Sequence, residues 1–453
     1  MPEAAPPISH VVVLMMENHA FDRMLGWTRQ RWPGIEGVDP DHPLSNPDDP
    51  PSNPPIPQAE TRSRHIGNDP GHDLANVERQ LANGNQGFVQ DFAHYAVSPP
   101  PDHAERQEIM GWYPYGFLPA LHFLAYNFVV CDHWFASVPG PTWPNRLFAH
   151  SGTSLGHVDM PEGIFTPGLH LYNQRTLYDE LDDAGVDWRI YYGDVAQSVL
   201  LEHQLGKLGH YRRFDRWAAD VQAGDLPPYV FIEPAYFGAE QNDQHPPQDV
   251  LRGDALIASV FNALLGNQAV FERTLLIVLY DEHGGFFDHV VPPATVPPDA
   301  HTDRFGFDRL GVRVPAVLVS PWLAPGFIPT IFDHTSLLRM AARLWPGVHP
   351  LGARAEQANE PLAALQWLDA PRRAIPPAPT EQNPMPAPDQ PALAGQKLAL
   401  FHFTQFLESR IVDPATRSAL MLRAHEGMQG AHAQGRLATD RFNAFMAEQR
   451  PSG

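Results

Sequence analysis

The stretch Leu275–Val290, LLIVLYDEHGGFFDHV, decides how this chain is read. Leu275 to Tyr280 is a short run of apolar, partly β-branched residues, the composition of a strand covered on both faces. Charge then arrives abruptly with Asp281, Glu282, His283, Asp288 and His289 around two glycines. Adjacent carboxylates repel and are costly to desolvate unless something positive compensates them. A bound cation meets that need, and Gly284 and Gly285 allow the backbone to turn close to it. The plainer alternative is a solvated, charged strand end. Ligands of open α/β sheets sit where parallel strands end, which favours the cation.

The same arrangement occurs near the start. His10–Met16, HVVVLMM, reads as a second buried parallel strand, and it ends in Glu17 and Asn18. Strands of one parallel sheet deliver their ends to one edge, so the two junctions are expected to meet. Further strands are expected around 128–134, 186–192, 229–232 and 312–320, with helices between them. This alternation predicts an α/β fold: a three-layer sandwich with a mostly parallel central sheet and helices on both faces.

The totals set limits. A chain of 453 residues with 43% hydrophobic residues can bury a large core. Its 49 prolines exceed the usual share of about one in twenty and predict long ordered loops. With 31 basic against 52 acidic side chains the formal charge is −21, so no nucleic-acid binding is expected. An anionic substrate stays compatible, since a metal reverses the field locally. The single cysteine, Cys131, excludes an internal disulfide and a cysteine zinc cage. No 18-residue apolar run predicts a transmembrane segment. The N-terminus, MPEAAPPISH, has neither a basic nor an apolar leader region. Either the chain stays in the cytoplasm, or an export signal has been removed and it is secreted or periplasmic. The expected organisation is a catalytic domain over 1–370, a proline-rich linker over 371–392 and a helical extension over 393–453.

Four further positions stand out. Pro139, Gly140 and Pro141 force a turn that presents Thr142 just before the helical pattern WPNRLFAH. Thr142 is then a nucleophile at a helix N-terminus, or simply the residue that caps the helix. His72 and His245 each follow turn-forming residues and precede helices, where side chains reach an anion at a sheet edge. Either histidine could equally be a structural hydrogen-bond partner. His210, in LGHYRRFD, lies among bases and aromatics.

Glu17, Asn18, Asp281 and Glu282, with Thr142 beside them, offer oxygen ligands to one divalent cation, with calcium, zinc, manganese and iron all suited. Such a site suits phosphoryl transfer, which needs positioning and charge neutralisation. No P-loop or dinucleotide fingerprint is present, and the GxSxG-like candidates fail. MMENHAFDRMLG, VPGPTWPNRLF, NDQHPP and YDEHGGFFDHV occur in this order, and together they resemble the bacterial phosphoesterase family of nonspecific phospholipases C and acid phosphatases. The resemblance runs from the first strand to about residue 345. It implies an alkaline-phosphatase-like fold and metal-assisted hydrolysis of a phosphate monoester, phosphodiester or phospholipid. It also implies that Glu17, Asn18, Asp281, Glu282 and Thr142 hold the metal and that Thr142 is the nucleophile. His72, His210 and His245 resemble the family's phosphate-pocket histidines. Asn145 and His289, within the same motifs, join His210 as candidate substrate-binding residues. The chain departs from the family at His19-Ala20, where Arg-Ser is usual. The alternatives are a sulfatase or phosphomutase on this scaffold, and a binding protein that keeps the fold without catalysis.

Overall fold

The computed structural model describes residues 8–94, 100–161, 163, 169–381, 384–386, 390, 392–426 and 429–449. The first seven residues, on which the reading of the N-terminus partly rests, and parts of the proline-rich stretch lie outside them. The central sheet contains β1 (His10–Met16), β2 (Val129–Trp134), β3 (Trp188–Tyr192), β4 (Tyr211–Arg213), β5 (Tyr229–Glu233), β6 (Thr274–Tyr280), β7 (Ala316–Val319) and β8 (Gly326–Phe332). Their order across the sheet is β8-β2-β7-β6-β1-β5-β3-β4, and only β7 runs against the rest. The expected α/β architecture with a mostly parallel sheet is therefore present.

β1 and β6 lie side by side at the centre, Val11 paired with Leu275 and Met16 with Tyr280. All of β6 and all of β1 except His10 is buried, because layers cover both faces of the sheet. The helices that matter below are α1 (Leu74–Gln80), α2 (Pro119–Asn127), α3 (Thr142–Ser151), α4 (Val250–Gly266) and α5 (Thr335–Leu344). α4 packs on α2, and α3 on α5.

Two strands carry weak sequence signals. β8, GFIPTIF, is a half-exposed edge strand with an irregularity between Ile328 and Ile331, and Pro329 is tolerated there because an edge strand leaves N–H positions unpaired. β4 is only three residues long.

Beyond residue 371 the described residues lack regular structure until α6 (Gly395–Glu408), α7 (Pro414–Glu426) and α8 (Ala431–Gln449). These helices share the main apolar core: Leu400, Phe403 and Phe442 are fully buried. Phe403 meets Trp143 edge-on at 6.3 Å and Phe442 meets Tyr192 at 5.5 Å. No helix among the described residues is long and apolar enough to cross a membrane.

Candidate active site

Because Met16 and Tyr280 are register partners, Glu17 and Asp281 leave neighbouring strands side by side. The backbone ties the junctions together: Asp281 N–H donates to Met16 O at 3.2 Å and His19 N–H to Glu282 O at 3.0 Å. Asn18 adopts a left-handed backbone, φ 58°, which asparagine tolerates better than most residues. A Cβ on Gly284 would lie 2.2 Å from Asn18 O, so the two turns approach as closely as they do only because position 284 is glycine.

Glu17, Asn18, Asp281 and Glu282 are all fully buried. One guanidinium faces them: Arg146 Nη2 lies 3.0 Å from Glu17 Oε1 and Nε lies 3.0 Å from Asp281 Oδ2. Three buried carboxylates face one arginine and the His72 ring, 4.0 Å from Glu282, which still leaves the edge short of positive charge. Burial pushes Glu17 well above the ordinary carboxylate range, against the pull of Arg146 and with the help of Asp281. Burial likewise raises Asp281 to about 7, with Arg146 opposing and Glu282 assisting. Glu17 Oε2 and Glu282 Oε1 are buried without a hydrogen-bond partner. Orphaned anionic oxygens and an all-oxygen donor set fit a hard or borderline divalent cation.

Thr142 reaches this edge through the loop that follows β2. It is the first residue of α3 rather than its cap: Pro141 occupies the N-cap, so the capping alternative does not hold. The Thr142 hydroxyl is buried and points at Asn18 Oδ1, 3.5 Å away. It stands where the unpaired N–H groups of a helix start favour an anion.

His72 and His245, 173 positions apart in the chain, meet with ring centroids 5.8 Å apart. Each ring is oriented through Nδ1 by a backbone carbonyl, Pro70 O at 2.8 Å and Pro246 O at 2.6 Å, which turns Nε2 inward. His72 Nε2 lies 3.5 Å from Asn18 Nδ2 and 4.0 Å from Glu282 Oε1. His245 Nε2 lies 3.6 Å from Asp69 Oδ2. The two environments differ in sign. Burial would depress His72, but Glu282 and Asp69 overcome it and hold the ring up at about 9. Burial, Lys397 and His72 all push His245 well below the usual histidine value. Asp69, His72 and His245 can each bring a ligand atom within 4.8 Å of the others. All three line a cavity of about 950 Å³, whose walls include Met160, Tyr236, Phe237 and Leu393.

Three candidate residues fall elsewhere. His210 stacks on Trp188 at 4.2 Å and its Nδ1 bonds Trp188 O, next to the first residue of β3. That is the N-terminal edge of the parallel strands, opposite to Glu17, so His210 does not join His72 and His245. His289 belongs to a separate buried network in which its Nδ1 meets Asp22 at 2.8 Å and Arg313 binds Asp22, Asp132 and Asp288. Arg313 already serves as the cation there. Asn145 gives both ends of its amide to the backbone of the turn: Oδ1 accepts from Val138 N–H, and Nδ2 donates to the carbonyls of Val138, Gly140 and Pro141. It holds the Thr142 loop rather than substrate.

Several contributors escaped the sequence reading. Arg146 follows Thr142 by four residues on one helix, a spacing that places both on one face and could have been used. The sequence offers Asp69 or Asp73 at a helix start; Asp73 is the N-cap, and Asp69 faces His245 instead. Gln197 and Gln396 donate to Glu17 Oε1 at 2.9 and 2.7 Å, contacts that no local pattern announces.

The family model of the phosphoesterase family matches residues 8–346, three quarters of the chain, and spans Glu17, Asn18, Thr142, Asp281 and Glu282. The chain belongs to the phosphoesterase family. Phosphate-ester hydrolysis is thus the chemistry of its class. Among similar proteins of this family, non-specific phospholipase C3 of Arabidopsis thaliana is 36% identical over 378 residues, covering 74% of this chain and 69% of that protein. Non-specific phospholipase C6 of the same plant is 34% identical, and the chain spans 63% of its length. Phospholipase C B of Mycobacterium tuberculosis is 30% identical, covering 74% of this chain and 72% of that one. A solved structure of a protein in the alkaline phosphatase superfamily from Vibrio parahaemolyticus superposes with a TM-score of 0.32 at 12% identity, covering 54% of this chain and 63% of the other. That likeness is too slight to carry weight.

Proposed function

We propose that the chain hydrolyses phosphate esters, phospholipid diesters among them, through a phospho-threonine intermediate at Thr142, with one divalent cation held by Glu17, Asn18, Asp281, Glu282 and Thr142. The observation that carries this reading is the Thr142 hydroxyl, buried at a helix start and directed at Asn18 within an edge of orphaned carboxylate oxygens. When bound, a divalent cation supplies charge neutralisation and eases ionisation of a nearby hydroxyl. The protein's own groups do the rest. Thr142 Oγ1 forms a bond to phosphorus while the bond to the ester oxygen breaks, and the start of α3 stabilises the anionic charge. His72, protonated and turned inward, gives a proton to the departing oxygen. In this first step the Thr142 hydroxyl proton passes to the neutral Nε2 of His245; water then displaces Thr142 from phosphorus, losing a proton to the now neutral His72, while His245 returns its proton to Thr142 Oγ1. A pair of histidines driven apart in basicity suits this division between acid and base.

A cavity of about 950 Å³ admits an extended phosphodiester. Trp112, Tyr113, Trp143, Phe286 and Phe287, which the sequence offers for an apolar mouth but more readily for core packing, are buried and do not line this cavity. Its apolar lining comes from Met160 and Pro161 together with the core residues Tyr236, Phe237 and Leu393. The names of the similar phospholipases C point to the same substrate class. The test is turnover of an aryl phosphate, a phosphodiester and phosphatidylcholine, with rapid quenching and mass spectrometry of the Thr142 peptide. A covalent phosphoryl group on Thr142 during turnover is expected. Turnover with no such adduct, and net inversion at a chiral phosphorus, would replace it by direct attack of water.

A further inference from the structure

The helix α6 lies beyond the family match, which ends at residue 346, yet its first turn reaches the strand-end site. Gln396, fully buried, donates from Nε2 to Glu17 Oε1 at 2.7 Å. Gln197 Nε2 reaches the same oxygen at 2.9 Å and Arg146 Nη2 at 3.0 Å. Three donors thus converge on one oxygen of the carboxylate, while its other oxygen, Oε2, is buried with no partner. A carboxylate held in this lopsided way cannot rotate without breaking three bonds, and it keeps one oxygen free. The side-chain oxygens of Gln396 and Gln197 are likewise buried without partners. A buried polar cluster left half-satisfied is a poor way to dock a helix, since each orphaned group costs about 1–3 kcal/mol. The apolar contacts of Leu400 and Phe403 already provide docking.

We infer that Gln396 is a positioning residue of the active site: it orients Glu17 so that Oε2 faces a divalent cation, and the C-terminal helices thereby complete a site that the family match alone does not contain. This deepens the metal reading above and rests on it. The next residue in the same turn, Lys397, lines the cavity with Asp69 and His245. Outer partners that orient a ligating carboxylate typically change metal affinity about 10–100-fold when removed.

The test uses the full chain, stripped with chelator, and equilibrium dialysis against Mn2+ and separately Ca2+. Gln396→Met, which keeps the length of the side chain and removes the donor, should weaken binding at least about tenfold. Its thermal midpoint without metal should match the parent, and turnover of an aryl phosphate should return when Mn2+ is raised to saturation. Gln197→Met should shift affinity in the same direction. Should the methionine variant fail to fold, Gln396→Asn, which keeps the amide and shortens its reach, carries the same expectation. Glu17→Gln reports on the parent reading. If it loses the metal while Gln396→Met and Gln197→Met keep parental affinity, the inference is overturned and the metal reading stands. If the parent binds none of Mn2+, Ca2+, Zn2+ and Fe2+ in the same dialysis, or Glu17→Gln binds as well as the parent, the metal reading fails and the inference falls with it.

Discussion

Thr142 shows how little separates a nucleophile from a helix cap in a sequence. The turn, the threonine and the helix after it were legible; which residue caps the helix was not, and the structure puts Pro141 rather than Thr142 at the N-cap. Thr142→Val keeps the shape and removes the oxygen, so turnover should fall by at least ~10³, the scale seen when a nucleophile is removed. Thr142→Ser should keep part of the activity. A valine variant with near-parental kcat would return Thr142 to a structural role. Histidines carry the same ambiguity. His72 and His245 follow the C-terminal ends of the sheet, whereas His210 sits where β3 begins, and residue type cannot distinguish the two edges. His210→Ala should therefore leave kcat/KM on a phosphate ester unchanged, and a loss of activity without unfolding would contradict that placement.

At the level of elements, the junctions between strands and carboxylates were plain because an apolar run followed by carboxylates is a local pattern. β8 was not, since an exposed edge strand loses the buried, apolar signature. The contact between α4 and α2 has its own electrostatics. Asp254, on α4, accepts from Ala120 N–H and Leu121 N–H at 2.8 Å each and so closes the start of α2 from another helix. Burial pushes its carboxyl up to about 7, although both backbone bonds pull the other way. An ordinary aspartate in the unfolded chain titrates near 3.9, so Asp254 binds its proton more tightly when folded. Its contribution to stability is then fully present below about pH 4 and is lost as pH rises through about 7. Asp254→Asn removes that titration. The fall in urea midpoint between pH 5 and pH 8 should be smaller in the variant than in the parent; an equal fall would show that Asp254 carries no such load.

For the whole molecule, the shortage of positive charge at the strand ends is a statement about stability as well as chemistry. A cation that binds only the folded chain at a hundred times its Kd adds about 2.7 kcal/mol. Chelation should lower the thermal midpoint, and added Mn2+ or Ca2+ should restore it; identical melts with and without chelator would remove the cation from the fold. The C-terminal helices belong to the same account. They read as an extension beyond a proline-rich stretch, yet Phe403 rests against Trp143, the neighbour of Thr142, and Gln396 bonds Glu17. The sequence by itself determined the alternation of strands and helices, the two carboxylate-bearing strand ends and the turn before Thr142. Each of these is set by residues close together in the chain, through backbone preference and apolar periodicity. Only the tertiary structure decided that Arg146 bridges Glu17 and Asp281, that Asn145 and His289 serve other networks, and that a glutamine 379 positions away along the chain donates to Glu17. Such contacts depend on how the elements pack, and long-range packing leaves no periodic mark on the residues that make it.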